Sequence, residues 1–263
     1  MQIFKSIKAR SIRFKARHYY LFKEGRRLKK LKNIHLGKRC FIIGNGPSLK
    51  AEDLSKLYKN NEITFAFNRI YHIFDQTKWR PTYYISQDEK MLAGCIEEIE
   101  NLSALIKFIP AEMKWYYNLD IKDVLPFHII TKENNNLPSF STDISKSIIN
   151  SKTVVYTALQ IAYYMGIKEI YLIGVDHHFH MSMNSNGEII IDNSVKDYFS
   201  EDYNQDKDNL YIPNTDESTF TYVAAKRFAA NHDLKIYNAT RGGKLEVFDR
   251  VDLDNLFVIN ACV

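Results

Sequence analysis

The stretch CFIIGNGPSLKAEDLSKL, residues 40–57, predicts the first strand, turn and helix of an α/β domain. Its first four residues, Cys40–Ile43, are all apolar, as in a strand that is buried on both faces. Pro47 suits the first turn of a helix, and Gly44 and Gly46 would let backbone N–H groups approach an anion. The stretch therefore favours a turn that binds phosphate; a plain corner between strand and helix is the alternative.

This turn does not complete the sequence fingerprint of a dinucleotide site. Leu49 stands where the pattern G-x-G-x-x-G requires its third glycine, and Asn68 follows the second predicted strand, where an acidic residue is required. The lysine of a Walker loop is also missing. An NAD site is therefore not expected, whereas the uncharged Asn68 could contact a ribose or a phosphate.

Strand-like and helix-like runs alternate after residue 40. The strand-like runs are ITFAFNRIY, TYYISQD, IKFIPA, FHIIT, KEIYLIGVD and LKIYNAT, and the helix-like runs are EKMLAGCIEEIENLSAL, TVVYTALQIAYYMG and TFTYVAAKRFAANH. Such alternation is typical of a Rossmann-like α/β fold, with a mostly parallel sheet and helices on both faces. Residues 179–214 interrupt the order with a long, polar, acid-rich segment, which we expect to be a lid-like insertion.

Small or polar residues follow five of the predicted strands. In a parallel sheet these positions lie along one edge, and ligands of open α/β sheets bind outside that edge. We therefore expect a shared site, although the same residue types are also common in ordinary loops. The positions are Gly44, Asn45, Gly46, Asn68, Arg69, Ser86, Gln87, Asp88, Gly174, Asp176, His177, His178, Asn238, Thr240, Arg241, Gly242 and Gly243.

The sequence offers three candidates for proton transfer. His177 and His178 carry side chains that titrate near neutral pH, and Asp88 is a further candidate base. The H-x-x-H spacing of His177 and His180 beside Asp176 leaves a divalent metal site as a lesser alternative. Because no fourth ligand is evident, no metal site is assigned.

Basic residues are concentrated at the N-terminus. Residues 1–40 hold 14 Lys and Arg against Glu24 alone, so the rest of the chain is acidic although the whole chain carries +5. Apolar residues such as Ile7 and Phe14 interleave with these cations. The pattern predicts a basic amphipathic helical arm over residues 1–37, which binds an anionic membrane through residues 1–35. A helix packed on the body is the first alternative; nucleic-acid binding is the least favoured.

Composition and apolar runs limit the class of protein. With 45% hydrophobic and 25% charged residues, the chain resembles globular proteins. It shows neither the apolar core of a signal peptide nor an uncharged apolar run of about 18 residues. Cys40, Cys95 and Cys262 lack metal-binding spacing and indicate free thiols in a reducing compartment. We therefore expect a cytoplasmic protein, peripheral on the inner face of the cell membrane.

Four motifs occur in the order found in a known family. They are FIIGNGPSL, FAFNRIY, EIYLIGVDHHF and KIYNATRGGKLEVFDRVD. In this order they resemble the MptE-like family, also called DUF115, over residues 38–255. The order is also similar to that of the bacterial sialyltransferases of glycosyltransferase family 42. The resemblance implies one α/β domain over residues 38–263.

The resemblance also implies roles for individual residues. Asn45 and Gly46 would bind the nucleotide phosphates, and Asn68 the nucleotide or its sugar. Thr153 matches a threonine that contacts the donor, and Asp176 together with Gly174 would hold the ribose. With the strand-end positions included, the predicted nucleotide-binding residues are Gly44, Asn45, Gly46, Ser48, Asn68, Gln87, Thr153, Gly174, Asp176 and Asn238.

The chain departs from the sialyltransferases in three places. The tyrosines that follow their G-I-D motif are replaced around His178. The arginine that precedes the donor-contacting threonine is replaced by Ser151, and the catalytic histidine falls near Asp216, where no histidine is present. An ordinary sialyltransferase is therefore not expected.

Three functions follow from these patterns together with what the resemblance implies. The leading expectation is a glycosyltransferase that uses a nucleotide-activated sugar, with a CMP-linked acidic sugar as one option, and a lipid-linked or glycan acceptor in bacterial surface polysaccharide biosynthesis. The second is pyrophosphoryl transfer from ATP to a hydroxymethylpterin, which would require Mg²⁺ on Asp88 and Asp176. The third is a nucleotide-binding or scaffold protein of glycan assembly without turnover. Apart from that Mg²⁺, no cofactor is expected.

Overall fold

The computed structural model describes residues 2–131, 137–204 and 212–257, which contain twelve strands and eight α-helices. The strands are β1 Arg39–Ile43, β2 Ile63–Phe67, β3 Tyr83–Ile85, β4 Ile106–Pro110, β5 Leu125–Phe127, β6 Ile129–Ile130, β7 Ile148–Ile149, β8 Glu169–Ile173, β9 Met181–Met183, β10 Ile189–Ile191, β11 Lys235–Asn238 and β12 Asp249–Arg250. The helices are α1 Gln2–Arg17, α2 Lys23–Lys29, α3 Ala51–Lys59, α4 Glu89–Ala93, α5 Ile96–Asn101, α6 Ala111–Tyr116, α7 Val154–Tyr164 and α8 Thr215–Ala230.

Eight of the strands form one parallel sheet in the order β12-β11-β8-β1-β2-β3-β4-β5. The chain builds outward from β1 to β5 on one side and then returns to the other side of β1 for β8. The direction of winding therefore reverses between β1 and β8, and the loops after these two strands contact each other at the carboxyl edge of the sheet. The region around this contact is called the crevice. Open α/β sheets bind their ligands at such a switch point.

Helices cover both faces of the sheet, which confirms the predicted Rossmann-like class. Successive residues of β1 point to opposite faces, so Cys40 and Ile42 pack in one core and Phe41 and Ile43 in the other. The first core is covered by α2, α7 and α8, and the second by α3, α4, α5 and α6. Because neither face meets water, the central strands read as continuous apolar runs.

Two helix predictions show how local chemistry sets helix ends. The run from Thr153 to Gly166 forms α7 as expected: the Thr153 hydroxyl caps its first turn, and Gly166 ends it at a positive φ of 88°. The run expected as one helix after Asp88 instead forms α4 and α5. It breaks at Gly94 and Cys95, because glycine is unfavourable inside a helix.

The basic N-terminal segment is helical, and its second half packs on the body. Tyr19 and Leu28 are buried in the first core, and the Tyr19 hydroxyl donates to the carbonyl of Pro126 at 2.7 Å. Burying a leucine side chain contributes about 2 kcal/mol. Further along, the N–H groups of Asn33 and His35 donate to carbonyls at the C-terminal end of α7. The first half, α1, keeps exposed apolar residues, and no described helix is both long and apolar enough to cross a bilayer.

The insertion over residues 179–214 begins with a hairpin of β9 and β10. A 3₁₀ turn at Glu201–Asn204 follows, and the side chain of Asn214 caps α8. Residues 195–199 are not helical. Cys40 and Cys95 are buried free thiols, whereas Cys262 lies outside the described residues.

Candidate functional site

The two loops at the switch point touch each other through glycines. The N–H of Gly44 donates to the carbonyl of Ile173 at 2.8 Å, and that of Gly46 to Gly174 at 2.9 Å. A Cβ on Gly44 would lie 2.2 Å from the Gly174 oxygen. The glycines are therefore required for this close approach, and their N–H groups are already bonded. From the sequence, these two N–H groups were expected to approach a phosphate, but in the structure they donate to backbone carbonyls.

Asp176 fills the space beside the turn. Its Oδ2 accepts a hydrogen bond from the Ser48 hydroxyl at 2.8 Å and packs so closely that a Cβ on Gly46 would lie 1.9 Å from it. Burial raises the pKa of Asp176, and hydrogen bonds from Ser48 oppose that rise. An ionised carboxylate accepts hydrogen bonds from hydroxyl groups and repels phosphate. This part of the crevice therefore suits a ribose better than a phosphate.

Two asparagines extend the crevice toward β2 and β3. The Nδ2 of Asn45 donates to the carbonyl of Phe67 at 3.2 Å, while its Oδ1 is buried and has no hydrogen-bond partner among the described residues. Asn68 has a positive φ of 48°, and its Oδ1 accepts from Ser86 Oγ at 3.0 Å. A buried carbonyl oxygen without a donor costs about 1–3 kcal/mol, so Asn45 is a position that a ligand would relieve.

The insertion reaches this crevice. The N–H of Phe199 donates to the Asn45 carbonyl at 3.1 Å, and Asn45 Nδ2 donates to the Tyr203 hydroxyl at 2.9 Å. Arg69 Nη1 donates to the Tyr203 carbonyl at 2.7 Å. Tyr198 stacks on Tyr203 with ring centroids 3.9 Å apart, and Tyr203 is 1% exposed. Arg69 belongs to the strand-end positions expected from the sequence, whereas Tyr198 and Tyr203 were not assigned to the site. A cluster of aromatic residues in an acidic segment was the available signal for these two tyrosines.

Gln87 and Asp88 serve different neighbours. Gln87 Oε1 accepts from the Thr157 hydroxyl at 2.7 Å and so joins the end of β3 to α7. Asp88 Oδ1 accepts from the N–H groups of Lys90 and Met91 and caps α4. The structure thus gives Asp88 a helix-capping role; its role as a base stays a prediction.

A second polar group lies between the N-terminus of α7 and α8. His177 Nε2 is 2.7 Å from Thr219 Oγ1, and the His177 ring meets the edge of Tyr222 at 5.5 Å. The Thr153 hydroxyl is 3.4 Å from the Tyr222 hydroxyl. Burial lowers the pKa of His177, so its imidazole is neutral at pH 7. Its φ of 53° is uncommon for a residue with a side chain.

His178 turns instead toward the insertion. Its Nε2 is 2.9 Å from Asp192 Oδ2, while Asp192 Oδ1 accepts from the N–H of Ser194 at 3.0 Å. Hydrogen bonds from Ser194 and then from His178 lower the pKa of Asp192 to about 2, so this carboxyl is ionised at neutral pH. His178 is also close enough to Asp176 to favour its ionised form. An imidazole held by a carboxylate is an arrangement found in general bases.

Asn238 stays apart from both groups. It is fully buried, its Nδ2 donates to the carbonyl of Leu245 at 2.8 Å, and its Oδ1 accepts from the N–H of Thr240 at 3.0 Å. In this structure its side chain therefore stabilises the turn after β11.

The two acidic residues expected to hold Mg²⁺ each have another partner in the structure. Asp88 caps a helix, and Asp176 is bonded to Ser48. Within these same ranges no group of three or more His, Cys, Asp or Glu side chains is arranged to hold a metal ion.

Comparison with known proteins adds a family and a fold. Residues 14–182 match the profile of the family described as "6-hydroxymethylpterin diphosphokinase MptE-like". The match starts inside the basic segment and ends at β9, so it lies further toward the N-terminus than the expected resemblance over residues 38–255. No curated protein sequence matches the chain.

The fold is similar to that in the structure of the MAf glycosyltransferase from Magnetospirillum magneticum AMB-1. The two share 19% sequence identity at a TM-score of 0.50, over 83% of this chain and 34% of that one. The chain thus spans about a third of the length of that protein. At this identity the likeness establishes a common fold.

Proposed function

The chain belongs to the family described as 6-hydroxymethylpterin diphosphokinase MptE-like, and from this membership we propose that it is a transferase that binds a nucleotide between β1 and β8. The transferred group is a sugar, which makes the protein a glycosyltransferase of bacterial surface polysaccharide biosynthesis. A CMP-linked acidic sugar is the first donor to test. The glycosyltransferase fold of the MAf protein supports this choice over other transfers.

The observation that carries the proposal is the continuous set of contacts across the carboxyl ends of the strands. Asp176 after β8 meets Ser48 after β1, and Asn45 reaches the last residue of β2. Asn68 in turn accepts from Ser86 after β3. This row offers a carboxylate and amides, which suit the hydroxyl and base edges of a nucleoside.

The groups around the row would then divide the chemistry. His178, oriented by Asp192, would take the proton from the acceptor hydroxyl, while neutral His177 and Thr153 would contact the donor near the N-terminus of α7. If so, His178→Ala removes sugar transfer while leaving nucleotide binding close to the wild-type value. Loss of nucleotide binding in the same variant would contradict the assignment of His178 as the base.

Residues 179–214 would close over the bound donor. Excluding water prevents hydrolysis of an activated sugar and strengthens electrostatic contacts inside the site. The hydrogen bond from the Phe199 N–H to the Asn45 carbonyl supports this role, because it brings the insertion to the edge of the crevice.

The basic segment would hold the enzyme on the inner face of the cell membrane, near a lipid-linked acceptor. Ile7 and Phe14 on α1 are 58% and 60% exposed, and they are surrounded by exposed cations such as Arg10 and Lys15. Residues seven apart lie on the same side of a helix. An exposed apolar stripe flanked by lysine and arginine is the pattern of interfacial helices.

Pyrophosphoryl transfer from ATP is the second candidate, because the family description itself names a diphosphokinase. It would require Mg²⁺ bound mainly through the nucleotide phosphates, since the described residues supply no cluster of protein ligands.

A thermal-shift screen tests the proposal. CMP, CDP, UDP, GDP, ADP and ATP are compared with and without Mg²⁺; we expect CMP or a nucleoside diphosphate to raise the melting temperature in the absence of metal. Asn45→Asp should remove that shift, because it places a negative charge at the crevice. Asn101→Asp, at an exposed position on α5, should keep it.

The other outcomes separate the alternatives. A shift with ATP that appears only with Mg²⁺ would replace the glycosyltransferase with the diphosphokinase. No shift with any nucleotide would contradict both and leave a protein of glycan assembly that works without one.

A further inference from the structure

Tyr203 occupies the position beside Asn45 that a ligand of Asn45 would occupy. The hydroxyl of Tyr203 accepts a hydrogen bond from Asn45 Nδ2. Tyr203 is 1% exposed, and its ring centroid lies 3.9 Å from that of Tyr198 and 6.2 Å from that of His72. These contacts fill the mouth of the crevice at the end of β1. A nucleotide that reaches Asn45 has to take the place of this ring.

The fit of Tyr203 is incomplete in a way that favours its replacement. Asn45 Nδ2 is bonded, but Asn45 Oδ1 is buried without a donor among the described residues. A ribose hydroxyl or the amino group of a base would donate to that oxygen and satisfy the whole amide. The closed arrangement therefore costs free energy that a nucleotide would recover.

The attachment of the insertion to the body is nevertheless specific. The N–H of Phe199 donates to the carbonyl of Asn45, and Arg69 Nη1 donates to the carbonyl of Tyr203. The body therefore holds the backbone of the insertion as well as the tyrosine ring. A segment of the chain that binds to the crevice with its own backbone and ring competes with any ligand for the same space.

We propose that Tyr203 is a self-inhibitory plug, which occupies the nucleotide crevice in the ligand-free protein and withdraws when a nucleotide binds. This inference rests on the proposed function, since it concerns the same crevice. A plug and a lid have opposite effects on nucleotide affinity. Loss of a lid residue that touches the donor weakens binding, whereas loss of a plug strengthens it, because the fraction of protein that is competent to bind rises.

The test measures nucleotide affinity by isothermal titration calorimetry in wild type, Tyr203→Ala, Tyr203→Phe and Tyr116→Ala. The titrant is the nucleotide with the largest thermal shift, or CMP if none shifts. We expect Tyr203→Ala to bind about tenfold more tightly. Tyr203→Phe, which loses only the bond to Asn45, should show a smaller gain. Tyr116, 63% exposed on α6, is the matched control and should leave affinity unchanged.

A second measurement needs no ligand. Limited proteolysis of the nucleotide-free proteins should cut Tyr203→Ala within residues 179–214 faster than wild type, with melting temperatures confirming that each variant is folded. The Ile190→Ala variant, altered at an exposed position of β10, should be cut at the wild-type rate.

The outcomes separate this inference from the proposed function. If wild type binds a nucleotide and Tyr203→Ala binds it equally or more weakly, the plug is wrong and the proposed function stands. If no variant binds any nucleotide but cleavage is faster, nucleotide binding is wrong while Tyr203 remains the anchor of a closed crevice. If cleavage is also unchanged, both are wrong.

Discussion

Asp176 is a buried carboxyl group, and its titration offers a test that needs no substrate. Burial raises the pKa of Asp176 in the folded chain, so the folded state holds the proton more tightly than the unfolded state. Protonation therefore favours folding. The contribution of this group is largest below the ordinary pKa of an aspartate, about 3.9, and declines as the pH rises from there to the folded pKa.

Asp176→Asn removes this titration. We expect the free energy of unfolding of wild type, measured relative to Asp176→Asn by urea denaturation, to fall as the pH is raised from about 3.5 to 7. Asp75→Asn, at an exposed site, is the matched control. A difference that is constant or rises over this range would mean that Asp176 is not strained by burial.

Residues of the site could be predicted from the sequence where they follow strands. Asn45, Asn68 and Asp176 are expected at one edge by the rule that parallel strands present their carboxyl ends together, and in the structure each of them has a hydrogen bond to a residue at the end of a neighbouring strand. Tyr203 could not be predicted in this way. Its bond to Asn45 spans 158 positions of sequence and depends on the path of the insertion, for which no local pattern exists.

Among the elements, strands and buried helices were the most predictable. In these elements the spacing of the apolar residues and the residues that mark the ends of the element indicate the same structure. The α7 helix is apolar on nearly all sides and carries a threonine cap and a terminal glycine, and it forms as expected. The hairpin of β9 and β10 was not predicted. Its strands have three residues each, and β10 is exposed throughout, so it lacks the alternation that identifies a half-buried strand.

The α1 helix provides a test of membrane binding. Removing residues 1–17 leaves Tyr19 and Leu28 packed in the core, so the body should still fold. We expect the truncated protein to lose co-sedimentation with vesicles that contain phosphatidylglycerol, and its nucleotide-induced thermal shift to be retained. The double variant Ile7→Ser, Phe14→Ser should weaken vesicle binding because it removes the exposed apolar stripe.

Two controls accompany this test. Vesicles of phosphatidylcholine alone should bind weakly, and added salt should weaken binding to the anionic vesicles. Ile190→Ser changes an exposed isoleucine outside the basic segment and should bind as wild type does. Unchanged vesicle binding after removal of residues 1–17 would contradict the proposal.

At the scale of the molecule, the parallel α/β architecture was predictable from alternating strands and helices, but the order of the strands was not. Placing β8 beside β1 is decided by the packing of α7 and α8 on the sheet and by the glycine contacts between the loops. These are long-range contacts. The residues near a strand do not by themselves determine which other strand it will pair with.

The parallel sheet places the basic stretch and the crevice at opposite edges. The basic stretch Lys29–Lys38 passes the C-terminal end of α7. There the N–H of Gly37 donates to the carbonyl of Gly166, and the N–H of Lys168 donates to the carbonyl of Lys38. This is the edge of the sheet at which β1 and β8 begin. The crevice lies at the edge where they end, and a five-residue strand is roughly 16 Å long. A bilayer held at the basic edge would leave the crevice facing away from the lipid. Under the proposed function, an acceptor attached to a lipid would have to extend roughly this distance from the bilayer to reach the crevice.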